Sequence, residues 1–371
     1  MENSTIKNIL KTFAFIVIIL CLMPFVAVDY WWIRMFDFPH LQLTGLTLLA
    51  LLIYFIKFDF KDHRDYFLVG SLLLCFIFQF IKIYPYTPLA DFEVLETENN
   101  DKSISLFTSN VLQKNEKHHL LQEVSNKYDA DVLLFTETDR TWKNEITANL
   151  DASYKNKVEV PLDNTYGMLL YSKLDIFDTQ VKYLVSDSIP SIHTKVRLAS
   201  NDTIQLYAIH PTPPMPQENP SSSDRDTEMM LIAKMALESK YPVIVVGDFN
   251  DVAWSETSKL FQSVSRLLDI RKGRGFFNTY NAENFLFRWP LDHIFISSEF
   301  RLNKVKLAED INSDHFPLYT ELSFEPGKKN MQSQAYPTDS QLKNAQQQID
   351  DFNKAKREKA KKRNRTIRTK A

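Results

Sequence analysis

Three long stretches without a formal charge crowd the first quarter of this 371-residue chain, and any fold must shelter them from water. They run from Thr12 to Val28, Phe38 to Ile56 and Tyr66 to Ile81, with 17, 19 and 16 residues. A tilted helix needs about 20 apolar residues to cross the hydrocarbon of a bilayer. The third run lengthens toward that figure if Lys82 snorkels and adds Ile83 and Tyr84. Aromatic residues mark the ends, with Tyr30, Trp31 and Trp32 after the first run and Tyr84 and Tyr86 after the third, the pattern of an interfacial belt. The first run alone would fit a signal peptide with Lys7 and Lys11 as its basic region. Two more runs follow at once and all are apolar on every side, which favours an uncleaved three-helix transmembrane anchor over residues 1–90.

Charge in the short loops gives that anchor a direction. Lys7 and Lys11 precede the first run, and Lys57, Lys61 and Arg64 fall in the second loop. The first loop holds Arg34 against Asp29 and Asp37. Positive-inside bias therefore places the N-terminus and second loop in the cytoplasm and residue 91 onward outside it.

The rest of the chain divides by charge. Residues 91–327 hold 24 Lys and Arg against 36 Asp and Glu, whereas residues 328–371 hold 13 against 4. An acidic domain is a poor footprint for duplex DNA, where neutralising phosphates dominates affinity. It suits carboxylates gathered around a divalent cation. The basic tail, with 10 basic residues and one acidic between Lys354 and Lys370, reads as a disordered or partly helical arm for anionic lipid or nucleic acid.

Between anchor and tail, after a proline-containing linker, short apolar runs alternate with amphipathic stretches. "SISLFTSNVL", "ADVLLFTE", "YGMLLYS", "IHTKVRLA", "TIQLYAIH", "YPVIVVGDFN", "LDHIFISS" and "FPLYTELSF" predict strands, and "EKHHLLQEVSNKYDA" and "SSSDRDTEMMLIAKMALES" predict helices. Many strands follow one another without a helix, so the layered α/β domain needs mixed sheets. Asn110, Glu137, His210, Asp248 and Asn250 sit at the ends of apolar strands, where sites commonly form. "GDFND" is not a calcium loop, because the spacing of oxygen ligands fails at Val252 and Ala253. Asp314 and His315 are neighbours before a strand-like run, so they face opposite sides and each needs its own partner.

The ordered set "SNVL", "FTETDR", "IHPTPP", "VVGDFND", "PLDHIFIS" and "NSDHFPL" resembles the endonuclease/exonuclease/phosphatase superfamily, the DNase I-like fold, over residues 100–325. "HPTPP", then Arg225, then "GDFN" look most like its bacterial membrane-anchored members. The resemblance implies a four-layer α/β sandwich with two mixed β-sheets over residues 91–327. It also implies a monomer in the bacterial cytoplasmic membrane, crossing it several times, whose outward domain hydrolyses phosphoester or phosphoanhydride bonds with Mg²⁺ or Mn²⁺.

The residue types fit that chemistry. Glu137 is the expected principal metal ligand, with Asn110 beside it as neutral ligand or phosphate contact and Asp314 completing the metal site. Asp248 would orient or deprotonate water, and Asn250, two residues on, would hold a phosphate oxygen. His315 is the expected acid or base, its ring fixed by Asp292, and His210 matches a second catalytic or phosphate-binding histidine. Arg225 is a candidate substrate contact, as are Arg140 and Arg274. Leu112 stands where family nucleases often carry an acid, which weakens the case for a second metal. Phe285, Phe287 and Trp289 either grip a lipid or base or pack in the core. The candidate substrates are lipid-linked phosphates or diphosphates, phospholipid headgroups, nucleotides and extracellular nucleic acid. The competing functions are a nuclease using the tail as its arm and a non-catalytic membrane scaffold.

Overall fold

The computed structural model describes residues 2–25, 35–97, 103–215 and 221–370, with no side chains described before residue 5 or after 362. Tyr30, Trp31, Trp32, Asp29 and Arg34, assigned above to a membrane boundary and its loop, lie outside the described residues.

Helices α1 (Glu2–Leu22), α2 (His40–Phe55) and α3 (His63–Ile83) form an antiparallel bundle. Its interior is lined by Val17, Tyr54 and Leu72, while Phe15, Leu52, Phe67 and Leu74 are exposed, so the outer skin is apolar. Two segments, Thr5–Phe25 and His63–Tyr86, are long and apolar enough to cross a bilayer. The expected third span is shorter. Helix α2 has 16 residues, about 24 Å of rise, because it starts after Pro39 and ends before the charged loop from Lys57. One end of the bundle is polar, where Lys7 and Lys11 of α1 meet Asp62 and Asp65 at the start of α3.

The following segment is not a loose linker. Tyr86 and Val94 are buried, and Pro85 O accepts a hydrogen bond from Gly273 N at 2.8 Å. Beyond it come two six-stranded mixed sheets. The first orders as β11 (Phe300–Leu307), β12 (Leu318–Phe324), β1 (Ile104–Asn110), β2 (Val132–Thr136), β4 (Met168–Ser172) and β3 (Asn156–Val160). The second orders as β5 (Ile176–Lys182), β6 (Ser191–Arg197), β7 (Thr203–Ile209), β8 (Val243–Asp248), β10 (Asp292–Ile296) and β9 (Leu268–Asp269).

Four layers follow from where the apolar side chains go. Leu106, Leu134, Leu206, Val246, Ile294 and Leu322 from both sheets pack into one core. On the far face of the first sheet, Phe107, Phe135 and Tyr319 pack against α4 (His118–Tyr128) and α5 (Arg140–Asn149) through Leu121 and Trp142. On the far face of the second, Val245 and Phe295 meet α6 (Ser223–Leu237) and α7 (Glu256–Ser265).

Within the tail, residues 339–370 form one helix, α8 (Asp339–Lys370). Its first half docks, with Ala345 and Ile349 buried in the α6–α7 cluster. The more basic stretch after Phe352 is exposed as far as its side chains are described.

Candidate active site

Strand register assembles the site. The antiparallel β8–β10 pair sets Asp248 opposite Asp292, and the parallel β1–β2 pair ends with Asn110 beside Thr136, one residue before Glu137. In the parallel β7–β8 pair, Ile209 lies beside Gly247, so His210 arrives next to Asp248. That approach needs a glycine: Gly247 has φ 143°, and a Cβ there would lie 2.0 Å from Ile209 O.

The polar groups converge on one oxygen. Asp248 Oδ2 accepts from Asn110 Nδ2 at 3.1 Å, and Nε2 of His315 and of His210 each stand 3.7 Å from it. Behind His315, Nδ1 pairs with Asp292 Oδ2 at 2.8 Å, which leaves Nε2 facing the centre. Asp248, Asp292, His210 and His315 are all buried. Burial alone would lower the His315 pKa, but the carboxylates of Asp292 and Asp248 outweigh it and raise it to about 10. Asp292 is the reciprocal case: burial opposes its charge, yet the His315 charge and hydrogen bond hold its carboxyl below the usual range. Burial pushes the Asp248 carboxyl up, against the pull of His315. An imidazolium thus stands beside a carboxyl made more basic than usual.

Beside this centre lies a second group of oxygens. Asn110 Nδ2 also donates to Glu137 Oε1 at 2.8 Å, and Gln113 N donates to Glu137 Oε2 at 3.3 Å. Half-buried Asp314 has its carboxyl raised by burial and by the Glu137 charge, against the pull of His315. Two carboxylates repelling each other, with the Asn110 amide between Glu137 and Asp248, form an oxygen donor set of the kind that suits Mg²⁺ or Mn²⁺. Asp248, Asp292 and His315 also place ligand atoms within 4.8 Å of one another. There, however, the imidazole Nδ1 already holds Asp292, and an imidazole ligand is less suited to Mg²⁺ than carboxylate oxygens. Glu137 (φ 59°), Asn250 (φ 51°) and Leu112 (φ 57°) all adopt the left-handed conformation that side chains disfavour, and such strain clusters at functional sites.

Several expected contacts are placed differently. Arg225 is buried, and its guanidinium binds Asp226, Asp251 Oδ1 at 3.2 Å and Asn250 O at 2.9 Å. These contacts brace the loop after β8. Arg274 is likewise held by Val94 O and stacked on Phe92, and Arg140 is exposed at the start of α5. Asn110 has both amide hydrogens on carboxylates, so it bridges the acids and offers no donor to phosphate. Asn250 donates its backbone N–H to Asp248 Oδ1 at 2.9 Å and its side-chain amide to Pro211 O at 3.0 Å. His293 is fully buried between Arg271 and Asp251 O, a structural role.

Sequence reading missed three supports. Ser313 Oγ donates to Asn110 O at 2.8 Å and accepts from His315 N at 3.1 Å, joining the two halves of the site. Tyr280 and Tyr166 pack on the rings of His315 and His210, with centroids 5.0 and 5.3 Å apart. Only the serine's place in "NSDH" was a signal; the tyrosines come from distant loops.

Comparison with known proteins bears on the fold and the family. Solved structures with the same architecture include D. rerio TDP2 complexed with a single-stranded DNA product, at 14% identity and TM-score 0.52 over 60% of this chain and all of that one. A humanised D. rerio TDP2 gives 14% and 0.51 over the same shares. The human Nocturnin catalytic domain with bound sulfate gives 17% and 0.49, over 65% of this chain and 99% of that one. No curated protein matches the chain by sequence. The model of the Endonuclease/Exonuclease/phosphatase family matches residues 105–315, which begins inside β1 and closes on His315 itself. By that match the chain belongs to the endonuclease/exonuclease/phosphatase family.

Proposed function

We propose that the protein is a membrane-anchored, divalent-metal-dependent phosphohydrolase. The observation that carries this reading is the convergence of Asn110, His210 and His315 on Asp248 Oδ2, with Asp292 behind His315 and Glu137 and Asp314 alongside. Water attacks phosphorus in line with the leaving oxygen and gives a proton to Asp248, whose raised pKa makes it a better base. The bond from phosphorus to the leaving oxygen breaks, and that oxygen takes the proton of the His315 imidazolium. Transfer of the proton from Asp248 back to His315 restores the starting state, so one water and one phosphoester give one alcohol and one phosphate. His210 faces the same point and stabilises charge on the phosphoryl oxygens. Glu137, Asp314 and the Asn110 carbonyl would hold Mg²⁺ or Mn²⁺, which neutralises charge on those oxygens.

The helical bundle supports anchoring. Its exposed skin is apolar, and the start of α2 and end of α3 lie at the catalytic side while Lys7 and Lys11 lie at the opposite end. That polarity matches a catalytic unit outside the cytoplasm. The exposed basic part of α8 suits anionic headgroups. A phosphatase and phosphodiesterase panel on the full-length protein, with Mg²⁺ or EDTA, tests the reading against His315→Ala and Glu137→Ala. Release of phosphate or alcohol that EDTA and both variants abolish is expected. Nicking of supercoiled plasmid without turnover of any small phosphoester would instead establish the nuclease. Turnover unchanged by either variant would sink the mechanism.

A further inference from the structure

An apolar groove of about 730 Å³, in the size range of roughly 300–1,000 Å³ typical of small-molecule sites, includes Asn278 and Arg288 in its lining, on either side of the Tyr280 that packs on the His315 ring. Leu41, Phe277, Phe285, Leu286, Val305 and Leu307 form most of its walls. They come from four places: the first turn of α2, the edge strand β11, the segment Gly275–Asn278 and the loop Asn281–Arg288.

That loop is tethered at its base and bare at its tip. Tyr280 pairs with both Trp289 and His315 in short β-bridges, so the base of the loop is held against the segment that carries the catalytic histidine. At the tip, Phe285 is 83% exposed, Leu286 67% and Phe287 49%. Three consecutive exposed apolar side chains are costly in water and mark an interaction surface. Gln42 Nε2 donates to Leu286 O at 2.9 Å, and Phe38 packs edge-on to Trp289 at 5.6 Å, so the tip is tied to the start of α2. From that start, α2 carries its exposed Leu48, Leu49, Leu52 and Phe55 away from the catalytic unit. The groove is therefore continuous with the apolar skin of the bundle.

Two cations complete the arrangement. Arg288 and Lys306 line the groove, and Arg288 stacks over Phe316, the residue after His315, at 4.9 Å. Hydrocarbon walls and a cationic lining, joined to the segment of His315 through Tyr280 and Phe316, fit a molecule with an apolar chain and an anionic head. We infer that the groove seats the hydrocarbon chain of a membrane-resident phosphate ester, with its phosphate at the Asp248–His315 centre. The inference rests on the phosphohydrolase reading and names its substrate class as an amphiphilic lipid phosphate.

The test uses full-length protein in phosphatidylcholine nanodiscs carrying a long-chain alkyl phosphate with a photoreactive diazirine in its tail, with Mg²⁺. A matched alcohol bearing the same tail is the control. After illumination, crosslinks are mapped by proteolysis and mass spectrometry, and phosphate release is measured on the same sample. Labelling of Phe277, residues 285–288 and residues 305–307 is expected with the phosphate and not with the alcohol. Leu286→Asp, at a site too exposed to threaten folding, should cut that labelling about tenfold relative to labelling of α1–α3. Labels confined to α1–α3, equal groove labelling by the alcohol, or no change in Leu286→Asp would each overturn the inference. Groove labelling without phosphate release would fail the hydrolase reading alone, and release without groove labelling would fail this inference alone.

Discussion

Single residues set the protonation states on which the proposed chemistry turns. His315 has its folded pKa raised from 6.5 to about 10, so the stability its charge contributes is full below about pH 6.5 and is lost as pH rises toward 10. In Asp292→Asn that dependence should flatten, visible as a difference of about 2–3 kcal/mol between denaturation at pH 6 and pH 10 that is present only in the parent. The same substitution frees the imidazole from its orienting carboxylate, and kcat should fall about 10³-fold with little change in KM. Glu137→Gln acts on the neighbouring oxygens. Turnover should survive only at high Mg²⁺, with the half-saturating concentration raised by about 100-fold in a metal titration. An unchanged titration would remove Glu137 from the metal site.

Elements show which parts of the fold could be read from sequence. The eight strands legible as apolar runs are β1, β2, β4, β6, β7, β8, β10 and β12, the inner strands of the two sheets. The four that were not, β3, β5, β9 and β11, are the four sheet edges. The physical reason is solvent on one side: "NKVEV" and "IFDTQVK" mix polar residues into the pattern, and β9 has two residues. Asp248, Asp292 and His315 were legible because they terminate buried strands or stand next to one. The acids around Arg225 were not legible, because an arginine between two motifs carries no sign of which acids will enclose it. Glu228 in α6 was equally silent. It is fully buried with neither carboxyl oxygen hydrogen-bonded, and burial, helped by Asp224, raises its pKa to about 8. Such an acid is unstrained when protonated below about pH 4.5 and costs stability progressively as pH rises to 8. Glu228→Leu should therefore stabilise the protein, by about 2 kcal/mol more at pH 8 than at pH 5 in thermal melts. A stabilisation equal at both pH values would show that the carboxyl is paired.

The whole molecule joins its helical bundle to the catalytic unit without slack. Ile83 and Tyr86 pack with Val252, Ala253, Trp254 and Leu291, so the bundle rests on the residues that follow Asp248–Asn250 and precede Asp292. Tyr86 Oη donates to Ala253 O at 2.7 Å and Trp254 Nε1 to Asp37 O at 2.9 Å. Removing residues 1–90 should bare this patch and loosen both catalytic loops. The truncated protein should lose several degrees in Tm and aggregate, where a freely tethered domain would melt unchanged. Bonds this close to the chemistry also have a kinetic meaning. Set in a bilayer, an enzyme with no swing in its mounting samples one height above the surface and meets its substrates by lateral diffusion. Its saturation would then follow the mole fraction of substrate in the surrounding leaflet, and diluting the vesicles in buffer would leave the rate per enzyme unchanged.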